Sequence, residues 1–82
     1  MIEIRYFAWL RERIGQASEQ VETEAATVRE LVAELQARSP GHAAAFADTA
    51  ALRVALDQEL AGFDAPLGTV REVAFFPPMT GG

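Results

Sequence analysis

Thr27-Val28-Arg29-Glu30-Leu31-Val32-Ala33-Glu34-Leu35 is the stretch on which the fold turns. Val28, Leu31, Val32 and Leu35 fall at i, i+3, i+4 and i+7, the spacing that stacks side chains on one face of an α-helix. Thr27-Val28-Arg29-Glu30 fits a capping box, in which the Thr27 hydroxyl and the Glu30 carboxylate reciprocally satisfy backbone donors that a helix start leaves without partners. The helix is expected to end near Ser39, ahead of Pro40-Gly41.

The segments on either side of this helix read mainly as strands. Met1 to Ala8 alternates, with Ile2, Ile4 and Tyr6 on one face and Glu3, Arg5 and Phe7 on the other. Trp9 to Gly15 is a short helical turn stopped by Gly15. Ser18 to Thr23 is a second strand in which Val21 is the clear buried residue. After the helix, His42 to Ala51 is Ala-rich around Phe46 and predicts a short second helix. Leu52, Val54 and Leu56 give a third strand, Asp57-Gln58-Glu59 a turn with a short return through Leu60, and Arg71 to Phe76 a final strand. The order ββαβ(β)β with one long helix predicts an α+β fold, a mixed sheet packed on that helix through one face.

The other face of the sheet carries apolar residues too. Phe7 has the opposite parity to Ile2, Ile4 and Tyr6, and Phe76 the opposite parity to Val73 and Phe75, so both are expected to point outward together, with Leu60 able to join them. Large apolar side chains on a surface commonly mark an interface.

The chain continues Pro77-Pro78-Met79-Thr80-Gly81-Gly82. Two prolines remove two N–H groups and fix two φ angles, which stops strand pairing and starts an extended exit. At average Pro and Gly usage a Pro-Pro-x-x-Gly-Gly terminus arises by chance in about one of 10⁵ chains. Without side chains, Gly81 and Gly82 can thread a narrow channel and present a terminal carboxylate to chemistry elsewhere. The expected division is therefore a folded unit over 1–76 and a flexible tail over 77–82.

Composition narrows the chemistry. The net charge of −5 and pI near 4.7 speak against nucleic acid, whose phosphates call for a clustered basic face, and suit partners with basic docking surfaces. No cysteine is present, so thiolate catalysis, persulfides and disulfides are excluded. All seven basic side chains are arginine, which leaves no side-chain amine for an isopeptide or Schiff base. The longest apolar run, Ala43 to Ala47, is far short of a membrane span, and a soluble cytoplasmic protein is the expectation. His42, the single histidine, reads as a solvated helix-start residue, Asp57 and Glu59 as a solvated turn without a metal, and Glu19, Glu22, Glu24, Glu30 and Glu34 as a solvated acidic face with some role in docking.

The chain resembles the small subunits of molybdopterin synthase, sulfur carriers with a ubiquitin-like β-grasp fold. The likeness runs through Ile2-Glu3-Ile4-Arg5-Tyr6-Phe7-Ala8 with Leu10-Arg11-Glu12 and Gly15, the Thr27-Val28-x-x-Leu31 helix start, and Val73-Ala74-Phe75-Phe76-Pro77-Pro78. It departs at Gly68-Thr69-Val70-Arg71, where an acidic turn is usual, at Asp57 in place of Asn, and at Met79 in place of Val. The resemblance implies that a ubiquitin-activating-type enzyme adenylates the Gly82 carboxylate with ATP and that a sulfur donor protein converts it to a thiocarboxylate. A large synthase subunit then receives the tail and builds the molybdopterin dithiolene, with no cofactor on the carrier and no catalysis by the carrier alone. It further implies that Gly81 gives the slim approach, and that Phe7, Leu60, Phe76, Pro77, Pro78, Met79 and Thr80 meet the partner. Related carriers serving thiamine or tRNA thiolation, protein modifiers, and a plain interaction module are the competing readings.

Overall fold

A computed structural model describes residues 1–78, so the expectations for Met79, Thr80, Gly81 and Gly82 lie outside the described residues. The helix anticipated from its periodicity, α2 (Val28–Gln36), buries Val28, Leu31, Val32 and Leu35 at 4% exposure or less. Its start differs slightly from an ideal capping box. Thr27 Oγ1 accepts from the Glu30 N–H at 3.3 Å, while the Glu30 carboxylate reaches the Ala26 N–H and the Thr27 hydroxyl, both at 3.4 Å. The helix stops at Gln36 rather than near Ser39, because the Ser39 hydroxyl caps the next helix, α3 (Pro40–Ala45), by accepting from the His42 N–H. A 3₁₀ turn at Thr49–Ala51, capped by Asp48, completes the segment read from sequence as one short helix. Phe46, between the two, is buried edge-on against Phe75 at 4.9 Å between ring centroids.

Five strands form one sheet: β1 (Ile2–Tyr6), β2 (Ser18–Val21), β3 (Arg53–Leu56), β4 (Glu59–Ala61) and β5 (Glu72–Phe76), in the order β2-β1-β5-β3-β4. The central pair β1–β5 is parallel and the remaining pairs are antiparallel. Ile2, Ile4, Tyr6, Val21, Val54, Val73 and Phe75 face α2 and the helical segment, closing one core. This mixed sheet grasping one main helix is the β-grasp arrangement. The short helix α1 (Trp9–Ile14) closes on Gly15 in the left-handed region and packs beside α3. That approach requires glycine at position 41, because a Cβ there would stand 2.6 Å from the Arg13 carbonyl oxygen.

Two loops set the ends of strands that matter below. Asp57 and Gln58 both have positive φ, 49° and 72°, and make the tight turn between β3 and β4. Asp57 Oδ1 accepts from the N–H groups of Arg71 and Glu72 at 3.0 Å each, tying that turn to the start of β5. The atypical segment at Gly68 forms a turn of its own, closed by the Val70 N–H on the Leu67 carbonyl at 2.9 Å, with Gly68 at φ 51°. No helix among the described residues is long and apolar enough to cross a membrane.

Candidate functional site

The strand pairing assembles the outer face row by row. Arg5 lies beside Ala74, Ala74 beside Ala55, and Ala55 beside Leu60, so four strands contribute to one row. The next row toward the end of β5 holds Phe76 beside Arg53. The Phe7 N–H donates to the Phe75 carbonyl at 3.1 Å and brings Phe7 alongside Phe76. Phe7 is 41% exposed and Leu60 73% exposed, while Phe76 is half-buried. All three therefore share the outer face, as parity predicts for Phe7 and Phe76.

Phe7 and Phe76 wall a groove of about 670 Å³, floored by the small side chain of Ala74 and continued by Pro77 and Pro78. Gln58 from the β3–β4 turn and Glu72 line its other side. Leu60 shares the face but lies outside the groove. The Arg5 guanidinium sits 5.7 Å from the centroid of the Phe7 ring and 4.0 Å from the Glu72 carboxylate. With both partners partly in water, the long Arg5–Glu72 pair contributes little to stability and leaves the cation available.

Ala8 forms the rim of this groove with φ 56° and ψ −133°, a region that residues with a Cβ rarely occupy. The turn it makes, closed by the Leu10 N–H on the Phe7 carbonyl at 3.2 Å, leaves Phe7 outward and sends Leu10 into the core. Strain of this kind persists where surrounding packing dictates it and clusters at binding sites. Arg5 and Ala74 could have been added to the site from sequence, since they share the parity of Phe7 and Phe76. Gln58 and Ala8 enter it through turn geometry, which alternation does not report.

The chain exit belongs to the same groove. Pro77 and Pro78 follow the last residue of β5 and offer no N–H to extend its ladder. The four residues beyond Pro78 can span at most about 14 Å. An exposed apolar groove with a cation at its edge is the kind of surface at which proteins dock, and it is continuous with an exit that cannot pair as a strand.

A second polar cluster corrects two sequence expectations. His42 is buried, not solvated, and the Glu19 side chain is only 8% exposed. Glu19 pairs with Ile4 in register, so it points to the inner face of the edge strand β2. Its Oε2 accepts from the Tyr6 hydroxyl and from His42 Nε2, each at 2.7 Å, and its Oε1 lies 3.0 Å from the Arg38 guanidinium. Ser39 Oγ meets His42 Nδ1 at 2.7 Å and completes the imidazole's partners. Burial opposes ionisation of Glu19, but the hydrogen bonds from His42 and Tyr6 and the charge of Arg38 outweigh it and hold the carboxyl below its usual range. Burial and the bond to Glu19 push the Tyr6 phenol far above its ordinary value. The visible signal was the parity of Glu19 with Val21. This cluster lies on the inner face of the sheet, opposite the groove, and joins β1, β2 and the helical segment.

Residues 4–82 match the ThiS family. The chain belongs to the ThiS family. It is 42% identical to the molybdopterin synthase sulfur carrier subunit of Escherichia coli K12 over the whole length of both chains. It is 37% identical, again end to end, to the protein of that name from Haemophilus influenzae. Among solved structures, SAMP1 from Haloferax volcanii superposes with a TM-score of 0.79 at 25% identity, covering 99% of this chain and 98% of that one. A putative molybdopterin converting factor subunit 1 from Pyrococcus furiosus gives 0.73 at 24% identity, covering 95% and 97%, and supports the fold. The groove and the exit described above are thus features of a ThiS-family β-grasp domain.

Proposed function

We propose that this ThiS-family chain is the sulfur carrier subunit of a molybdopterin synthase, loaded as a thiocarboxylate on Gly82. The observation that carries this reading is the 42% identity to a sulfur carrier subunit over the whole length of both chains. The apolar groove that flanks the exit supports it physically, because a carrier must dock by a surface next to the group it delivers.

The chemistry is that of the sulfur carriers the chain is similar to, and the absence of cysteine agrees with sulfur held on the chain end. A carboxylate is a poor electrophile. An adenylating enzyme lets the Gly82 carboxylate attack the α-phosphate of ATP, with pyrophosphate leaving. The acyl adenylate that results has AMP as a leaving group, and a sulfur donor protein displaces it to give a thiocarboxylate. That nucleophilic sulfur is then passed to the pterin precursor of the dithiolene in the large subunit. Phe7, Phe76, Pro77 and Pro78 grip the partner, Leu60 extends the contact across the same face, and Met79, Thr80 and Gly81 lead Gly82 into the channel. In this reading the carrier acts in the cytoplasm with these partners.

The test is intact mass after incubation with the adenylating enzyme, ATP and a sulfur donor, where one oxygen is replaced by one sulfur. Deleting Gly82 abolishes that exchange and leaves the circular dichroism spectrum unchanged. Full sulfur loading of the truncated chain would sink the reading.

A further inference from the structure

Each of the seven basic side chains is arginine, and neither lysine nor cysteine occurs. Two of the arginines stand on the outer face near the exit. Arg5 lines the same groove as Pro77 and Pro78, and Arg53 pairs in register with Phe76. Both are exposed. Because the chain beyond Pro78 reaches about 14 Å, its end can return over the groove that it leaves. A lysine at either position would place an amine within that reach. A guanidinium keeps its proton at every working pH and offers no free electron pair for attack.

The topology sets the Met1 amine far from the exit. Since β1 and β5 run parallel, with Glu3 beside Glu72 and Tyr6 beside Phe75, the α-amino group at Met1 lies at the end of the sheet where β5 begins. The tail leaves from the opposite end. Six residue steps separate Met1 from Phe7, about 20 Å along a strand. Counted from Phe76, beside Phe7, the six residues of the tail reach about 20 Å at full extension, so Met1 stands at the very limit of the tail while Arg5 and Arg53 lie well inside it. An antiparallel pairing of the same strands would set Met1 beside the exit.

We infer that Arg5 and Arg53, together with the parallel β1–β5 pairing, keep the surroundings of the tail inert toward an activated acyl group on Gly82. They keep charged side chains beside the exit while denying the carrier a nucleophile of its own. The inference rests on the reading of Gly82 as the activated end. The step being avoided is plain. An amine nitrogen attacks the Gly82 carbonyl carbon, a C–N bond forms, the bond to the AMP oxygen or to a sulfur breaks, and the proton leaves to solvent. The product is a self-conjugated carrier that can no longer accept sulfur.

The experiment needs no activating enzyme. The full chain is prepared with a small-thiol thioester on Gly82 by intein cleavage, as wild type, Arg5→Lys, Arg53→Lys and Arg29→Lys. Arg29 lies on α2, on the helix side of the sheet, and serves as the remote control. Each thioester is incubated at mildly alkaline pH and followed by intact mass and resistance to hydroxylamine. Wild type and Arg29→Lys should yield only the hydrolysed acid. Arg5→Lys and Arg53→Lys should form the internal amide. A short tether holds an amine at roughly millimolar effective concentration, so at about 10 μM protein internal capture should exceed capture between molecules about 100-fold. The inference is overturned if the Arg5→Lys and Arg53→Lys thioesters decay only to the acid, if Arg29→Lys forms the amide as fast, or if wild type captures its own Met1 amine. Absence of an AMP adduct on the wild-type chain with adenylating enzyme and ATP would instead count against the proposed function, and leaves the thioester result standing.

Discussion

Replacing Glu19 by alanine removes an acceptor on which three elements converge. The Tyr6 hydroxyl from β1 and His42 Nε2 from α3 lie 2.7 Å from one carboxylate oxygen, and Arg38, just past α2, lies 3.0 Å from the other. The Glu19 and His42 side chains are 8% and 5% exposed, so water has little access to replace the lost bonds. The Tyr6 O–H and a His42 ring N–H then become buried donors without an acceptor, each costing about 1–3 kcal/mol. Arg38 is 44% exposed and rehydrates, adding little. The expected loss is about 2–6 kcal/mol, against a total stability of roughly 4–12 kcal/mol for a domain of this size. Urea unfolding followed by circular dichroism measures it, as a lower midpoint with an unchanged slope. The pH dependence gives a second readout. The folded Glu19 carboxyl is held below its ordinary value of 4.5, so its contribution is complete above that value and is lost as pH falls through the folded pKa. Glu19→Gln should lack that part of the acid loss. A Glu19→Ala penalty below about 1 kcal/mol, or an identical acid limb in Glu19→Gln, would refute the buried network.

Phe7→Ala and Phe76→Ala should each remain folded and weaken binding to the large subunit by about 2 kcal/mol or more, measured by titration calorimetry; unchanged affinity in both would remove the groove from the docking surface. Gly81→Ala in a pre-loaded carrier should slow single-turnover sulfur transfer by about 10²-fold while binding stays near wild type, because a small displacement of a reacting group is enough to produce a loss of that size. Gly41→Ala should destabilise the domain by about 1–3 kcal/mol in the same urea assay, since its Cβ would press on the Arg13 carbonyl and push α1 from α3. Gln58→Gly should stabilise by about 1 kcal/mol, because the position has φ 72° and glycine adopts that region without strain; a lower midpoint would show that the turn is held by the Gln58 side chain.

Most of the fold and half of the site were legible where covalent geometry imposes a period. Val28, Leu31, Val32 and Leu35 could be assigned to one helix face, and Phe7 and Phe76 to the outer face of the sheet, because side-chain direction repeats every 3.6 or every 2 residues whatever the neighbours are. The same rule would put Glu19 on the face of Val21, but together with the neighbouring glutamates it reads as a solvated acidic face. Glu19 is buried nonetheless, because the β1–β2 pairing sets Tyr6 beside it, and His42, 23 residues away, and Arg38 reach it when the helical segment docks against the sheet. Ser39 was read as the end of one helix and proved to be the cap of the next.

The sequence by itself determined the elements, the faces they present, the missing thiol and amine, and the slim Gly81-Gly82 end, all of which are properties of residues and their spacing. Only the tertiary structure decided that β1 and β5 pair in parallel, that Phe7 therefore stands beside Phe76 at the exit with Met1 far from it, and that Arg5, Ala74 and Gln58 complete one groove. Parity states which of two faces a side chain occupies. What stands beside it is fixed by strand order and direction, which follow from how all the apolar faces close on a single core.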